Sequence, residues 1–292
     1  MHRPSLFAAT ALALVLGSAP ALAEGAASDG EPAGYGGYTL ADEDDYEQDL
    51  RAASQNPVAD LISLPIQNNV NFGVGPRDKT GWVTNVQPVI PFSLTDDINL
   101  ITRTIVPVSR RPSFAPGDSG AFGIGDVNPA LFLSPSDPIG FEGGQLVWGA
   151  GAAFLLPTAT DSTLGTGKLA VGPSAVGLAL SPPWVVGAIA SNLWSVAGPD
   201  GRDDVNLFIV QPFVNYNLPD GWFLTAAPII TSNWEAGDDR WTVPVGGGVG
   251  RVFPIGRQPV NMSLQAFGNV VSPDDIGPDW SIRFALTFLF PR

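Results

Sequence analysis

The chain has 292 residues, of which 45% are hydrophobic and only 14% charged, with 34 glycines, 28 prolines and no cysteine. Ordinary soluble domains have about 25% charged residues, so this composition argues against one, and the missing cysteines exclude disulfides and thiolate metal sites. The formal charge of −14 predicts no binding to nucleic acid, whose phosphates it would repel.

The first 23 residues have the pattern of a cleavable signal peptide. A basic start at Arg3 precedes an apolar run from Leu6 to Leu16, and Ala21-Leu22-Ala23 fits the A-x-A cleavage pattern. We expect cleavage between Ala23 and Glu24, and therefore export. An uncleaved membrane helix is the alternative, but the apolar run is shorter than the roughly 20 residues that a span needs.

Residues 24–60 are predicted to form an acidic, largely disordered periplasmic segment. They carry ten acidic residues and a single basic one, Arg51, and such a composition buries too little apolar surface to offset the entropy of ordering. A short helix is predicted from Tyr46 to about Ser54, ended by Asn56-Pro57. The sequence favours a tail outside the rest of the fold, with a plug inside it as the alternative.

After Leu61 the hydrophobic pattern changes to a period of two. Even positions are mostly apolar and odd positions mostly polar at 62–74, 82–94, 98–111, 259–272 and 280–290. Alternate residues of a strand point to opposite faces of a sheet. Seven more segments have a similar length: 125–135, 146–158, 169–181, 184–197, 205–218, 222–234 and 241–254. Those at 146–158, 169–181 and 184–197 are rich in Gly and Ala on both faces, so the pattern does not assign their inner face. The sequence therefore predicts an all-β fold over residues 61–292, a single antiparallel up-and-down transmembrane β-barrel of about 12 strands.

The connections between these segments alternate in length. Short turns are predicted near 95–97, 181–183, 219–221 and 256–257, with 136–145 as a longer exception. Mostly longer polar loops are predicted at 75–81, 112–124, 159–168, 198–204, 235–240 and 273–279. Outer-membrane barrels have short periplasmic turns and longer external loops, and an even strand number places both termini on the short-turn side. Prolines inside several segments are expected to mark bulges or strand ends.

Tryptophans lie at the ends of the predicted strands. Trp82, Trp184, Trp222, Trp241 and Trp280 begin their segments, whereas Trp194 and Trp234 lie near the other end of theirs. Aromatic girdles of this kind line both rims of membrane barrels. The pattern predicts a location in the cell outer membrane, with outer-membrane lipid as one partner and the barrel-assembly machinery as another during biogenesis.

Several short motifs occur in a characteristic order along the chain. They are the run Asn56–Asn69 (NPVADLISLPIQNN), Gln87–Pro91 (QPVIP), Gly125–Val127 (GDV) and the ending Phe288–Arg292 (FLFPR). Together they resemble the bacterial outer-membrane proteins labelled "putative MetA-pathway of phenol degradation", often misannotated as neuromedin U, over roughly residues 55–292. The resemblance implies a barrel and uptake of aromatic compounds.

Little catalytic chemistry is available to the mature chain. The only histidine, His2, lies in the predicted signal peptide, so no Ser-His-Asp triad can form, and the lysines of a Ser-Lys pair would lie in predicted loops. The acidic pairs at 203–204, 238–239 and 274–275 lack the spacing of a calcium-binding loop. We therefore expect no enzymatic activity, no cofactor and no metal.

The sequence predicts that the function lies on the inner, water-exposed face of the barrel. The candidates are the odd-numbered polar residues that would line the lumen: Asn69, Asn85, Gln87, Arg103, Gln211, Asn215, Gln265, Asn269 and Arg283. Rings of such side chains set the selectivity of a pore. The sequence favours a channel or transporter for passive passage of small solutes, hydrophobic or aromatic ones included. A non-conducting structural or adhesive barrel is the alternative, and a soluble β-sandwich is a third hypothesis.

Overall fold

The computed structural model describes residues 50–274 and 276–291. In this part of the chain, sixteen β-strands form one antiparallel sheet. The strands are β1 Ile62–Val74, β2 Lys79–Val86, β3 Val89–Ser93, β4 Ile98–Arg111, β5 Ala121–Ile124, β6 Asn128–Pro135, β7 Ile139–Phe141, β8 Gly144–Leu155, β9 Leu169–Ser181, β10 Trp184–Ala197, β11 Asn206–Asn217, β12 Trp222–Ala226, β13 Ile230–Asn233, β14 Trp241–Ile255, β15 Gln258–Val271 and β16 Trp280–Phe290. A 3-10 turn, Gly75–Arg77, joins β1 to β2.

The sheet closes on itself as a barrel of twelve strands. Three barrel strands are interrupted and consist of β2 with β3, of β5 with β6 and β7, and of β12 with β13. Each barrel strand pairs with its neighbours in the chain, and β1 pairs with β16 from Ile62↔Phe290 to Phe72↔Trp280. The predicted all-β, twelve-stranded, up-and-down antiparallel barrel is confirmed.

Prolines interrupt the hydrogen-bonded ladder at two of the strand breaks. Pro88 follows the end of β2 and Pro228 lies between β12 and β13, where a residue without an N–H cannot continue the pairing. The register of β14 against β15 also shifts at Pro244. The expected bulges and strand ends are found at these three positions, whereas Pro107 and Pro173 lie inside paired strands.

Two connections are shorter than the sequence indicated. The predicted turn 136–145 contains β7, which forms a tight hairpin with β8 through the pair Phe141↔Gly144. The predicted loop 75–81 ends early because β2 begins at Lys79. At the hairpin between β11 and β12, Asp220 and Gly221 have φ of 53° and 74°. Two consecutive residues with positive φ are typical of the tight type I′ turn.

The two faces of the barrel differ as the alternation predicted. Polar odd-numbered residues of β1 and β16, such as Asn69 and Arg283, are buried inside, whereas Phe284 and Phe290 of β16 are exposed on the outer face. The Gly- and Ala-rich strands have a defined inner face too. It is formed by even-numbered residues in β9, including Val176 and Leu178, and by odd-numbered residues in β10.

Residues 50–61 pack inside the barrel and do not extend away from it. Leu50 to Ser54 are helical, and Arg51 Nη1 donates a hydrogen bond of 2.7 Å to the carbonyl oxygen of Leu218. Gln55 Nε2 donates to Asn217 Oδ1 at 3.0 Å. The end of the predicted acidic segment therefore lies at the short-turn end of the lumen, as in the plug alternative. Residues 24–49, the start of the predicted helix and the cleavage site between Ala23 and Glu24 lie outside the described residues.

Within the described residues, no helix is long and apolar enough to cross a membrane.

The interior divides into an apolar half and a polar half. An apolar cluster fills the side formed by β3, β4, β6 and β8 to β11, and Val58 of the N-terminal segment joins it; its largest fully buried side chains are Phe132, Ile101, Leu178 and Leu193. In a smaller apolar cluster, the N-terminal segment packs against the short-turn end of the barrel. Its members are Leu50, Leu61, Phe223, Val252 and Leu289. The remaining inner surface, on β1, β2, β15 and β16, is mainly polar.

The apolar half of the interior should contribute strongly to stability. Phe132 is 1% exposed inside the barrel, whereas its neighbour Leu133 is 50% exposed on the outer face. We expect Phe132→Ala to lower the free energy of unfolding by about 3–5 kcal/mol, because it removes buried surface and leaves a cavity. Leu133→Ala is the matched control with a smaller loss. Urea unfolding in lipid vesicles measures both, and equal losses would contradict an interior packed around Phe132.

Candidate functional site

The lumen contains a partly open cavity of about 210 Å³ next to the N-terminal segment. Residues 53–57 of the N-terminal segment form one boundary, together with Leu61. One wall includes Gln67, Gln87 and Arg103, and the opposite wall includes Ile189 and Phe213 beside Gln211 and Asn215. A small organic molecule would therefore meet hydrogen-bond donors as well as two large apolar side chains.

The nine predicted lumen residues all lie on inward-facing positions, but in different surroundings. Four of them line the cavity: Gln87, Arg103, Gln211 and Asn215. Asn69, Gln265 and Arg283 are buried beside the break between β12 and β13. Asn85 pairs in register with Gln67, and Asn269 Nδ2 donates to the Pro278 carbonyl at 2.6 Å near the long loops. Their role in transport remains a prediction.

Arg283 compensates for the ladder that Pro228 interrupts. Its Nη1 donates to the Ala227 carbonyl at 2.5 Å and its Nε to Asn69 Oδ1 at 2.7 Å. The amide of Ala227 in turn donates to Gln265 Oε1 at 3.2 Å. These side chains satisfy a backbone N–H and C=O that are not paired in a strand, and a buried unpaired group is costly. The Arg283 guanidinium also lies over the Phe267 ring, 4.7 Å from its centroid.

Arg103 is placed differently, next to the break between β2 and β3. Its Nη2 donates to Gln87 Oε1 at 2.5 Å. Across the break, the backbone N–H of Gln87 donates a hydrogen bond of 2.8 Å to the Pro65 carbonyl oxygen. Among the described residues, neither Arg103 nor Arg283 has a carboxylate within 4.0 Å. The lumen therefore contains two guanidinium groups without an acidic partner.

The long-loop end of the barrel is covered by ordered loops. The Asp126 carboxylate, between β5 and β6, accepts hydrogen bonds from Thr166 N at 2.6 Å, Thr166 Oγ1 at 2.8 Å and Ala159 N at 3.2 Å. Arg202 Nε donates to the Thr166 carbonyl at 2.8 Å. Leu164 in the same loop is 1% exposed. These contacts fix the loop between β8 and β9 to the connection between β5 and β6 and to Arg202.

The Arg111–Asp118 pair fixes the adjacent loop. Both guanidinium Nη atoms of Arg111 donate to the Asp118 carboxylate at 2.8 Å. Those hydrogen bonds, together with the amides of Phe114 and Gly120, hold the pKa of Asp118 well below its usual range. Within the described residues, no group of three or more acidic or histidine side chains is arranged to hold a metal ion.

The predicted interface tryptophans lie on the outer face near the strand ends. Trp184, Trp194, Trp222, Trp234 and Trp280 are each between 39% and 47% exposed, and Trp82 and Trp241 are partly exposed. Trp148, which was not among the predicted interface tryptophans, is also 43% exposed. Arg251 lies over the Trp222 ring, 5.3 Å from its centroid. The position of these rings relative to lipid remains a prediction.

Two features of the lumen were not predicted. The packing of residues 50–61 inside the barrel has only a weak signal in the sequence, the isolated apolar residues Leu50, Val58 and Leu61. The cavity residue Gln67 has the polar, odd-numbered pattern of its strand but no chemical group that distinguishes it from Asn69 or Asn71. Both features depend on contacts between segments far apart in the chain.

Solved structures share this fold at low sequence identity. An outer membrane channel from Pseudomonas putida F1 matches with a TM-score of 0.62 and 16% identity, over 79% of this chain and 95% of that one. Outer membrane phospholipase A from Escherichia coli matches at 0.45 and 15%, over 82% and 98%. A FadL homologue from Pseudomonas aeruginosa matches at 0.39 and 9%, over 82% and 92%. No protein-family model and no curated protein matches the chain.

The match to the outer membrane channel supports the fold of bacterial outer-membrane barrels. The comparisons also correct one prediction: the expectation that the chain is not an enzyme was wrong, because a phospholipase is among the matched barrels. A TM-score below 0.5 assigns no activity to this chain.

The contacts of Arg283 lead to a prediction about stability. We expect Arg283→Met to destabilise the barrel by about 1–3 kcal/mol for each buried acceptor left unpaired, namely Asn69 Oδ1 and the Ala227 carbonyl. Arg251→Gln removes the same charge from the outer face and should cost much less. Urea unfolding compares the two variants, and a larger loss for Arg251→Gln would refute the role of Arg283.

The Arg111–Asp118 pair leads to a prediction about pH. Because the pKa of Asp118 is lower in the folded protein, its hydrogen bonds contribute fully above the ordinary carboxyl pKa of about 3.9 and are lost as the pH falls below it. Hydrogen exchange at the Phe114 and Gly120 amides should accelerate, relative to intrinsic rates, as the pH falls from about 4 towards the lowered pKa of Asp118. In Asp118→Asn these amides should be less protected and show little pH dependence; equal profiles in both proteins would contradict the assignment.

Proposed function

We propose that the protein is a channel of the bacterial outer membrane that passes small solutes through its lumen. The observation that carries the proposal is the cavity of about 210 Å³ inside the barrel, lined by both polar and apolar side chains. The fold shared with an outer membrane channel supports it. The girdle of exposed tryptophans and the predicted signal peptide, cleaved between Ala23 and Glu24, support delivery to that membrane by the barrel-assembly machinery.

The N-terminal segment is the element that controls passage in this proposal. Residues 50–61 close the short-turn end of the cavity, and they are held by a few polar contacts and the small cluster around Leu289. Asn261 Nδ2 also donates to Ser54 Oγ at 3.0 Å. These contacts are fewer than those of the barrel wall, so the segment can shift while the barrel stays closed.

The proposed solutes are small molecules, including those with an apolar ring. Ile189 and Phe213 line the cavity and can pack against such a ring. The sequence motifs Asn56–Asn69 and Gln87–Pro91, which resemble the family labelled as a MetA pathway of phenol degradation, agree with aromatic solutes. Membership of that family is part of the proposal.

A cross-link between the segment and the wall tests the proposal. The chain has no cysteine, so Ser54→Cys with Asn261→Cys provides a single pair for a short bifunctional thiol reagent. We expect the cross-linked protein to lose most of the flux of small solutes into liposomes, because the segment can no longer move from the lumen. The two single variants, treated with the same reagent, are the controls.

Two results would count against this proposal. Unchanged flux after complete cross-linking would show that the segment does not control passage. No flux and no conductance in any variant, with a folded heat-modifiable band on gels, would favour the alternative of a non-conducting structural or adhesive barrel.

A further inference from the structure

The charges of the barrel wall are all of one sign. None of the sixteen strands contains an aspartate or glutamate, although the whole chain has 28 acidic residues. The same strands contain six basic residues: Lys79, Arg103, Arg110, Arg111, Arg251 and Arg283. The charged residues of the strands are therefore all positive, although the protein as a whole is acidic. Its acidic residues lie in the turns, the loops and the N-terminal segment.

In the part of the chain that the structure describes, Arg103 is the one of these six residues that lines the cavity. Arg111 is paired with Asp118, Arg251 lies against Trp222 on the outer face, and Arg283 is occupied by Asn69 and the Ala227 carbonyl. Arg103 lines the cavity and has one acceptor, Gln87 Oε1. A guanidinium group has five N–H donors, so most of its hydrogen-bonding capacity remains unused by the described protein groups.

A second donor lacks a partner in the same cavity. Gln67 Nε2 is buried and has no hydrogen-bond acceptor among the described residues, and Gln67 lines the cavity together with Arg103. A buried donor without an acceptor is destabilising. A cation and a free amide donor on one wall have the chemistry that complements an anion with two or more oxygen acceptors.

The opposite wall restricts the rest of the ligand. Ile189 and Phe213 face the cavity from that wall, beside Gln211 and Asn215, and Val89 lies next to Arg103. The cavity of about 210 Å³ is smaller than the roughly 300–1,000 Å³ typical of sites for drug-sized molecules. A small organic acid with one apolar group of the size of a ring fits both walls.

We infer that the lumen contains a binding site for small organic carboxylates, formed by Arg103 and Gln67. The inference rests on the proposed function in taking the lumen as the route, and it names the class of solute that is recognised there. The planar guanidinium of Arg103 binds a carboxylate by two parallel hydrogen bonds, and Gln67 Nε2 donates a third. Ile189 and Phe213 contact the ring of the ligand.

Benzoate and benzamide are the probes for this site, because they share a ring and differ in charge. We expect benzoate to bind the purified full-length protein on the order of tenfold more tightly than benzamide, the loss expected when charge-assisted hydrogen bonds are absent. Arg103→Gln should abolish this preference. Arg251→Gln, which removes an equal charge from the outer face, should keep it. Isothermal titration measures the affinities.

A second variant separates recognition from folding. Gln67→Leu removes the unpaired buried donor, so we expect a higher unfolding temperature without ligand and, at the same time, weaker binding of benzoate. Replacing a residue with only a structural role would not raise the unfolding temperature and weaken benzoate binding at the same time. Lower stability together with unchanged benzoate affinity would overturn the role of Gln67, whether or not Arg103→Gln folds.

The outcomes distinguish this site from the channel itself. Equal affinity for benzoate and benzamide, or no binding of benzoate, would overturn the carboxylate site even if neutral solutes cross liposomes. Preferential, Arg103-dependent binding of benzoate without any flux would uphold the site and overturn the channel.

Discussion

The pairing of β1 with β16 is the interaction on which the rest of the structure depends. It joins the first and last strands over eleven residue pairs and leaves the sheet without a free edge. In hydrocarbon, an unpaired N–H or C=O has no water to bind, so only a closed barrel can place strands there. Closure also creates an inside. Every inward side chain then competes for a limited space, and the polar groups there must find partners within the protein or in a solute.

The interior meets this constraint in two ways. On the side of β8 to β11, inward positions are apolar and pack into a cluster that includes Phe132 and Leu178. On the side of β1 and β16, polar side chains satisfy one another and the interrupted backbone, as Arg283 does for Ala227. The cavity lies where these two halves meet and the N-terminal segment ends. Arg103 has donors left unused there, and Gln67 Nε2 is buried without an acceptor among the described residues, which is why recognition is expected at that point.

The period of two predicted the fold because the inner and outer faces of a barrel have different environments along every strand. The strand number and the inward position of Arg103 followed from that pattern. The hairpin of β7 did not, because Ile139–Phe141 is too short to show a period. The packing of residues 50–61 inside the lumen could not be predicted either, since it depends on contacts such as Gln55 with Asn217, which are 162 residues apart. The partners of Arg283 depend on the strand break at Pro228, which the sequence suggested only as a bulge or strand end.

Spin labelling along β16 tests whether the barrel is closed and embedded in lipid with the N-terminal segment packed inside it. Single cysteines can be placed from Trp280 to Phe290 without interference, because the chain has none. In liposomes, we predict that labels at even positions collide freely with oxygen, which concentrates in lipid. Labels at odd positions should be shielded from oxygen and immobilised, most strongly at Leu289, which is 0% exposed beneath the N-terminal segment. Accessibility without a period of two, or a mobile label at Leu289, would contradict the account.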